Sequence, residues 1–206
     1  MEDIVSLCKR RGFVFQGSEI YGGLAGMWDY GPLGSILKKN IESLWWKHFV
    51  SSREDMYGLD TSIVMSEAVW KTSGHLEGFA DPMVLCAKCK RRFREDQLEG
   101  ASMCPECGGT LGDKRMFNLL FPVEIGSAVG GTTTAYLRGE VAQGMFVNFK
   151  NVLDSMHPKL PFGIAQIGRA FRNEIAPRDF LFRVREFDLM EFEYFVCEEE
   201  WKQWFG

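Results

Sequence analysis

Apolar residues recur at helical spacing in four segments of the chain. Residues 1–11 show a short amphipathic pattern, and a longer pattern begins at Pro32, which a helix accepts in its first turn. Ser66 is a good N-cap and Gly74 a good C-terminal stop for a short helix, and a further apolar face spans residues 140–153. The pattern therefore predicts four helices.

The segment from Pro32 to Phe49 carries the clearest helical pattern. Its apolar positions share one face, which comprises Leu33, Ile36, Leu37, Ile41, Leu44, Trp45, His48 and Phe49. On this face His48 is interpreted as a packed histidine rather than a ligand. Trp46 falls on the opposite, charged side, which indicates a second buried surface such as a subunit contact.

After Pro161 the apolar spacing becomes alternating, which is typical of strands. The alternation predicts strands over residues 164–172 and 181–196, with a loop around Pro177 between them.

The predicted strands are rich in arginine. No lysine occurs between residues 160 and 201, where the arginines are Arg169, Arg172, Arg178, Arg183 and Arg185. Arginine binds phosphate through a rigid fork of donors. Alternation puts Arg183 and Arg185 beside Phe187, so an aromatic ring could stack on a base while the arginines bind phosphate. Glu191 and Glu193 share a face that could bind an ammonium group, although an ordinary solvated face with Arg–Glu pairs remains the alternative.

The composition narrows the class of protein. The chain has 206 residues, which is room for one large domain or one domain with an insert. Hydrophobic residues make up 46%, which excludes intrinsic disorder. The N-terminus lacks the apolar run of a secretory signal, and no stretch approaches the roughly 20 apolar residues of a membrane span, so we expect a cytoplasmic protein. A net charge of -4 argues against a non-specific polyanion coat.

Four of the six cysteines form two close pairs, Cys86-x-x-Cys89 and Cys104-x-x-Cys107. In a cytosolic chain this spacing favours metal over disulfides, because each pair can supply two thiolates to one tetrahedral zinc ion. We expect a structural Zn²⁺ site in an inserted subdomain, residues 81–115, here called the cysteine insert. The alternatives are four free thiols, or a zinc ribbon that binds nucleic acid on its own. Cys8 and Cys197 are interpreted as core thiols.

Several runs match known signatures. Phe171-Arg172-Asn173-Glu174 followed by Arg183-x-x-x-Phe187 resembles motif 2 of the class II aminoacyl-tRNA synthetases. The narrower match is to the glycyl-tRNA synthetases of the eukaryotic and homodimeric bacterial type. The runs that carry it are FRNEIAPR, FRVREF, MEFEYF, GSEIYGGLAGMWDYGPLG, Trp45-Trp46, WKTSGHLEGFADPM and Ala142-Gln143-Gly144.

The resemblance implies a fold and a reaction. The fold would be of α+β class, a class II antiparallel sheet flanked by helices. It would be divided into residues 1–80 with a motif 1 helix, the cysteine insert, and residues 116–206 with motif 2. The reaction would be the ATP-dependent ligation of glycine to tRNA(Gly) through glycyl-adenylate, with Mg²⁺ accompanying ATP. The motif 1 helix would form a homodimer. The chemistry needs positioning and charge neutralisation rather than a protein nucleophile.

The resemblance also assigns residues to the substrates. The ATP-binding set would be Arg172, Asn173, Glu174, Phe182, Arg183, Val184, Arg185, Glu186 and Phe187. Within it the catalytic Arg172 would bind the α-phosphate, Glu174 the adenine amino group, Arg183 the distal phosphate, and the Phe187 ring would stack on adenine. The glycine-binding set would be Arg94, Glu140, Phe187 and Glu191, with Cys86, Cys89, Cys104 and Cys107 as the metal ligands.

Two departures from the family pattern matter. Gly139-Glu140-Val141 replaces the usual Pro-Glu-Thr, so we expect weaker glycine binding than in a typical member. The family's motif 3 and its anticodon-binding domain would lie beyond Gly206, so we expect an incomplete catalytic domain with little activity of its own. A non-catalytic synthetase-like module that binds ATP or a partner therefore remains an alternative to an enzyme.

Overall fold

The computed structural model of the protein describes residues 1–98, 100–127, 130–175, 177 and 180–204. Its α-helices are α1 (Glu2–Arg10), α2 (Pro32–Trp46), α3 (Glu67–Thr72), α4 (His75–Gly78), α5 (Ala142–Met156) and α6 (Trp201–Trp204). A π-helical turn, Lys47–Ser51, continues α2. Shorter 3-10 turns occupy Glu19–Tyr21, Glu95–Gln97 and Glu198–Glu200.

The strands of these residues form four small sheets. The strands are β1 (Val14–Gln16), β2 (Trp28–Tyr30), β3 (Met56–Leu59), β4 (Val64–Ser66), β5 (Ala80–Cys86), β6 (Arg92–Arg94), β7 (Leu111–Asn118), β8 (Phe121–Ser127), β9 (Gly131–Leu137), β10 (Phe162–Phe171) and β11 (Glu186–Phe195). The sheets are β1-β2, β11-β10-β3, β4-β9-β8 and β6-β5-β7. All strand pairs are antiparallel except β10 with β3. The protein is thus of mixed α+β class with antiparallel sheets, as predicted.

The sheet β11-β10-β3 lies between α2 and α5. Because side chains alternate along a strand, β10 and β11 supply one apolar row to each side. The row toward α5 packs Phe162 and Ile164 against Met145 and Val152 of the helix. The row toward α2 packs Ala165 and Phe192 against the end of that helix. Burying both faces makes this sheet the rigid centre of the domain.

The predicted helices are confirmed. Ser66 caps α3 by accepting a 3.3 Å hydrogen bond from the Ala68 N–H, and Gly74 adopts a left-handed conformation with φ of 79° where that helix stops. The helix predicted over 140–153 is α5, which runs two residues later at its start and three later at its end.

The predicted inner face of α2 is confirmed where Trp45 and Phe49 pack against Phe192 of the sheet, and is wrong along the rest of the helix. Leu33, Ile36 and Leu44 are exposed, Leu44 at 70%, and His48 is exposed rather than packed. Trp46, assigned to the outer side, packs instead among the residues between α2 and the sheet. Gly58 lies against its ring, and a Cβ there would overlap the indole. The helix is rotated from the expected orientation because the bulky indole of Trp46 fits the space that Gly58 leaves in β3.

The second predicted strand begins later than expected. β11 starts at Glu186, so Arg183 and Arg185 precede the strand and do not share its alternating faces. The predicted segment 164–172 corresponds to β10, which ends at Phe171. The correction matters for the site, because these arginines are positioned by loop contacts instead.

The cysteine insert contains its own sheet, β6-β5-β7, which reaches slightly beyond residues 81–115 on both sides. Most side chains of β7 are exposed, and apart from Cys86 and Cys104 the buried apolar residues that the structure describes in this segment are Met83, Val84 and Leu98. A segment with so little core needs another source of stability.

Candidate active site

Glu140 and Glu191 form a carboxylate pair at the N-terminal end of α5. Glu140 directly precedes the N-cap residue Val141, and Glu191 lies in β11 on the side facing α5. Burial and the charge of Glu140 raise the pKa of Glu191, against the lowering effects of Arg172 and of the Val141 N–H that bonds its carboxylate. Glu191 Oε2 is buried without a hydrogen-bond partner among the described residues. Two acids in such a place favour a cationic ligand.

Arg172 follows β10 and lies beside this carboxylate pair. Its Nε–H donates to the Gly139 carbonyl oxygen at 3.1 Å, one residue before Glu140. Its guanidinium lies 5.1 Å from the ring centroid of Phe79 and 5.2 Å from that of Phe187. Two flanking rings and one carbonyl hold the cation in a fixed orientation while leaving other donors free.

A buried arginine that the sequence reasoning did not single out anchors the Glu140 segment. Arg138 is 2% exposed and donates to the carbonyl oxygens of Thr61 at 2.8 Å and Arg169 at 2.5 Å. Burial lowers its pKa. Its only sequence signal is its place in Leu137-Arg138-Gly139-Glu140. By tying the end of β9 to two other segments, Arg138 fixes where the chain turns toward Glu140.

His75 is a second residue that the sequence reasoning left without a role. Its Nε2 lies 3.2 Å from Glu140 Oε1. Its ring also contacts Trp70 and Phe79. Only its membership in WKTSGHLEGFADPM could have drawn attention to it.

Glu174 and Arg183 lie together at the outer end of the site. Arg183 Nε is 3.6 Å from Glu174 Oε2, and Arg183 lines a cavity of about 520 Å³ beside the glycine-rich loop that includes Gly22 and Gly26. Arg94 of the cysteine insert is close enough for Glu174 to contribute to its raised pKa, although Asp96 is the larger cause. The insert therefore borders this end of the site.

Arg94 is held by two acids of its own subdomain. It donates to Asp81 Oδ2 at 2.8 Å and makes two bonds to Asp96, at 3.0 and 2.9 Å. These contacts keep its guanidinium at the edge of the insert.

The remaining predicted ATP-binding residues have diverse surroundings. Phe182 is 84% exposed, whereas Val184 is buried. Arg185 donates to the carbonyl oxygens of Glu174 and Ala25, both at 2.8 Å, so its guanidinium is occupied by backbone. Glu186 pairs with Arg169 on the face of the sheet toward α2. 

Two further predicted positions complete the set. Asn173 donates its backbone N–H to the Leu119 carbonyl oxygen at 2.7 Å. Arg178, one of the five arginines, lies outside the described residues. The structure thus brings together Arg172, Phe187, Glu140 and Glu191, with Glu174, Arg183 and Arg94 nearby, and does not gather Phe182, Val184, Arg185 and Glu186 into the same space.

The four paired cysteines converge in the insert. Their Sγ atoms lie within 4.8 Å of one another, with 3.5 Å between Cys86 and Cys107 and 3.7 Å between Cys89 and Cys104. A tetrahedron with Zn–S bonds of about 2.3 Å has edges of about 3.8 Å, so the cluster fits such an ion. Hydrogen bonds, foremost that from the Cys89 N–H at 3.5 Å, lower the pKa of the Cys86 thiol to about 6, whereas burial and the neighbouring thiols raise the pKa of Cys89 to about 11. Thiolate is the form that binds metal.

Comparisons with known proteins identify the class and then the relatives. The fold is shared with the crystal structure of the RNA-binding domain of threonyl-tRNA synthetase from Cryptosporidium parvum Iowa II, at a TM-score of 0.64, 19% identity, and coverage of 97% of this chain and 38% of that chain. The chain therefore has the fold of an aminoacyl-tRNA synthetase domain. No protein-family model matches it.

Its sequence relatives are glycine–tRNA ligases. That of Borrelia garinii subsp. bavariensis is 54% identical over 207 residues, covering 100% of this chain and 46% of that protein. That of Treponema denticola is 53% identical over 208 residues, covering 98% of this chain and 46% of that protein. The chain is thus homologous along its length to a part of the glycine–tRNA ligases, which are ligase enzymes, and it spans about half the length of these relatives.

None of the helices that the structure describes is both long enough and apolar enough to cross a membrane.

Proposed function

We propose that the chain is part of a class II catalytic domain that activates glycine with ATP and transfers it to tRNA(Gly). The observation that carries the proposal is the half-buried pair Glu140 and Glu191 beside the ring-flanked Arg172. An ammonium site next to an oriented guanidinium is the arrangement that joining an amino acid to a nucleotide phosphate requires. Homology to glycine–tRNA ligases supports the choice of amino acid.

The carboxylate pair would bind the ammonium group of glycine. Glu191 Oε2 lacks a partner among the described residues, and an ammonium N–H would supply one. The charge of the ligand would also offset the repulsion between Glu191 and Glu140. Selecting glycine requires only that the pocket exclude larger side chains, which steric contact achieves without an editing step.

Arg172 would neutralise the α-phosphate, where negative charge develops as the glycine carboxylate attacks. Phe187 would then exchange its contact with Arg172 for stacking on adenine, and Glu174 would accept from the adenine amino group. Arg183, which lines the adjoining cavity, would bind the distal phosphate, and ATP would arrive with Mg²⁺. Arg185, occupied by two carbonyl oxygens, would position the glycine-rich loop rather than bind phosphate.

The cysteine insert would hold a structural Zn²⁺ through Cys86, Cys89, Cys104 and Cys107. The ion would supply folding energy to the insert rather than chemistry. From its edge Arg94 would approach bound glycine, which would require release from Asp81 or Asp96.

The exposed apolar face of α2 would form a homodimer contact in the cytoplasm. Leu33, Ile36, Leu37, Ile41 and Leu44 leave a continuous row uncovered on one helix face, which is typical of a subunit interface.

Glycine-dependent ATP–pyrophosphate exchange by the full-length product of the gene tests the proposal. Exchange that requires glycine and is lost in Arg172→Ala is the expected result. ATP binding without exchange would favour a non-catalytic module. Tight RNA binding that chelation abolishes, with no effect of ATP, would favour a zinc-ribbon nucleic-acid binder.

A further inference from the structure

His75 lies against Glu140 and is not among the residues assigned to the substrates. Its side chain is 16% exposed and that of Glu140 is 25% exposed. His75 Nε2 lies 3.2 Å from Glu140 Oε1, and because a carboxylate only accepts, this contact needs the ring proton on Nε2. Nδ1 lies 2.8 Å from the Ser73 hydroxyl, whose single proton also has the Trp70 carbonyl oxygen within reach at 3.3 Å. Both ring nitrogens therefore have partners, and the carboxylate alone sets the proton on Nε2.

Packing fixes the plane of the His75 ring. Trp70, fully buried, contacts it edge-on at 5.3 Å between centroids, and Phe79 lies at the same distance on another side. Asn118 Nδ2 donates to the His75 carbonyl oxygen at 3.0 Å, which ties the start of α4 to the end of β7. An imidazole held by two rings and anchored through its backbone directs its N–H along a fixed line.

Glu140 needs such an orienting partner. It follows Gly139, which imposes little restriction on the backbone, and it lies near the second carboxylate, Glu191, which repels it. The bond from His75 engages Oε1 and leaves Oε2 for a ligand. The same Phe79 ring that packs on His75 also lies under Arg172. One aromatic side chain thus links the orientation of the acid to that of the arginine.

We propose that His75 is a positioning residue for glycine, whose Nε2–H holds Glu140 with its free oxygen toward the substrate ammonium. The inference rests on the proposed function of the carboxylate pair. It adds a His75–Glu140 contact to the pocket, and it predicts that loss of the imidazole N–H harms glycine binding more than ATP binding.

Steady-state exchange assays on the full-length gene product test the substrate effect. His75→Phe keeps a ring between Trp70 and Phe79 but has no donor, so the KM for glycine is expected to rise about tenfold while the KM for ATP stays within about twofold. His75→Gln, whose amide N–H can replace Nε2–H, is expected to stay within about threefold of the wild-type KM for glycine. Equal rises in both KM values, or no change in either, would overturn the inference.

A spectroscopic measurement on this chain separates the contact from the activity. Long-range ¹H–¹⁵N correlation of the imidazoles is expected to show His75 as the Nε2–H tautomer, and Glu140→Gln should shift its Nε2 signal. His48 and His157 are internal controls whose signals should not move. If His75 is unaffected by Glu140→Gln, the positioning role is wrong even in an active enzyme. If wild-type protein shows no glycine-dependent exchange, the proposed function fails, while the His75–Glu140 contact is still decided by the spectrum.

Discussion

The pocket around Glu140 and the cysteine insert are built by different means. The pocket lies on a sheet whose two faces are covered by α2 and α5, and its polar groups are held by buried contacts such as those of Arg138. The insert has an exposed three-stranded sheet and four converging thiols. Packing supplies the rigidity of the first region, whereas the second has little apolar surface to bury and depends on its ligand cluster.

The two regions also have different tasks, since the pocket must orient side chains precisely and the insert need only stay attached beside it. A pocket that must orient two acids and an arginine uses side chains of β11 and of the segments that directly follow β9 and β10. The insert needs only to place an edge, with Arg94, near Glu174. Perturbing the proposed Zn²⁺ site should therefore leave the sheet β11-β10-β3 intact. Perturbing that sheet should leave the four-cysteine cluster intact.

Loss of the proposed Zn²⁺ site is expected to have the largest effect, and it falls on the insert. Cys104→Ser, or chelation, should remove hydrogen-exchange protection from β5 and β7, because apparent zinc-binding energies of about 10–16 kcal/mol act as folding energy in such small segments. Protection of β10 and β11 should remain. Cys197→Ser, outside the cluster, is the matched control, and simultaneous loss of both sheets would contradict the separation of the two regions.

Truncating Trp46 perturbs the sheet β11-β10-β3 in the way that losing the proposed Zn²⁺ site perturbs the insert. Trp46→Ala is expected to lower the free energy of unfolding by about 3–5 kcal/mol, since it empties the space beside Gly58. Leu44→Ala, at a position 70% exposed on the same helix, is expected to change it by less than about 0.5 kcal/mol. Denaturant titration measures both values. If Leu44→Ala were the more destabilising of the two substitutions, the buried face of α2 would be the one that the apolar spacing predicted.

In the pocket, Glu191→Gln should weaken glycine binding without lowering the folding stability. Burial is the main cause of the raised pKa of Glu191, so the folded state disfavours the charged form of this carboxyl. The resulting loss of folding stability develops as pH rises from the ordinary pKa of a glutamate through the raised one. The amide variant is expected to be at least as stable as wild type at neutral pH. It should lose about 1.5–3 kcal/mol of glycine affinity, or roughly 10- to 150-fold. Thermal unfolding and the KM for glycine test the two halves, and a destabilised variant with normal affinity would contradict both.

At Asp55, beside the edge of the sheet β11-β10-β3, we expect a smaller effect on folding stability, and this effect depends on pH. Hydrogen bonds from Arg53 and from the Tyr194 hydroxyl lower its pKa to about 2 from an ordinary 3.8. Because the folded pKa is the lower one, the stabilisation is complete above about pH 4 and is lost as pH falls through about 2. Asp55→Asn should reduce the drop in unfolding midpoint between about pH 6 and pH 2.5. An unchanged drop would show that Asp55 contributes nothing to it.

Short-range signals predicted much of this molecule. Pro32, Ser66 and the two CxxC pairs act within a few residues, and the helix, the cap and the thiol cluster follow from them. Motif resemblance located Arg172, Glu140 and Glu191, but it gave no account of what supports them. Whether those residues bind substrate remains a prediction.

Long-range contacts account for what the sequence reasoning missed. Trp46 packs inward because Gly58, in another strand, leaves room for its ring, which helical spacing alone does not reveal. Arg185 turns to the carbonyl oxygen of Ala25, 160 residues earlier in the chain. His75 likewise meets Glu140, which lies in a distant segment of the chain. Contacts of this kind depend on which elements become neighbours, and a pattern within one segment carries no such information.

Binding of a matched ligand pair tests the central claim, that the acids bind the substrate amine beside Arg172. One ligand is a non-hydrolysable glycyl-adenylate analogue, and the other is the same molecule without its amino group. Calorimetric titration of the protein is expected to show at least about tenfold tighter binding of the amine, and this preference should disappear in Glu140→Gln/Glu191→Gln. Equal affinity of the wild-type protein for the two ligands would contradict the account.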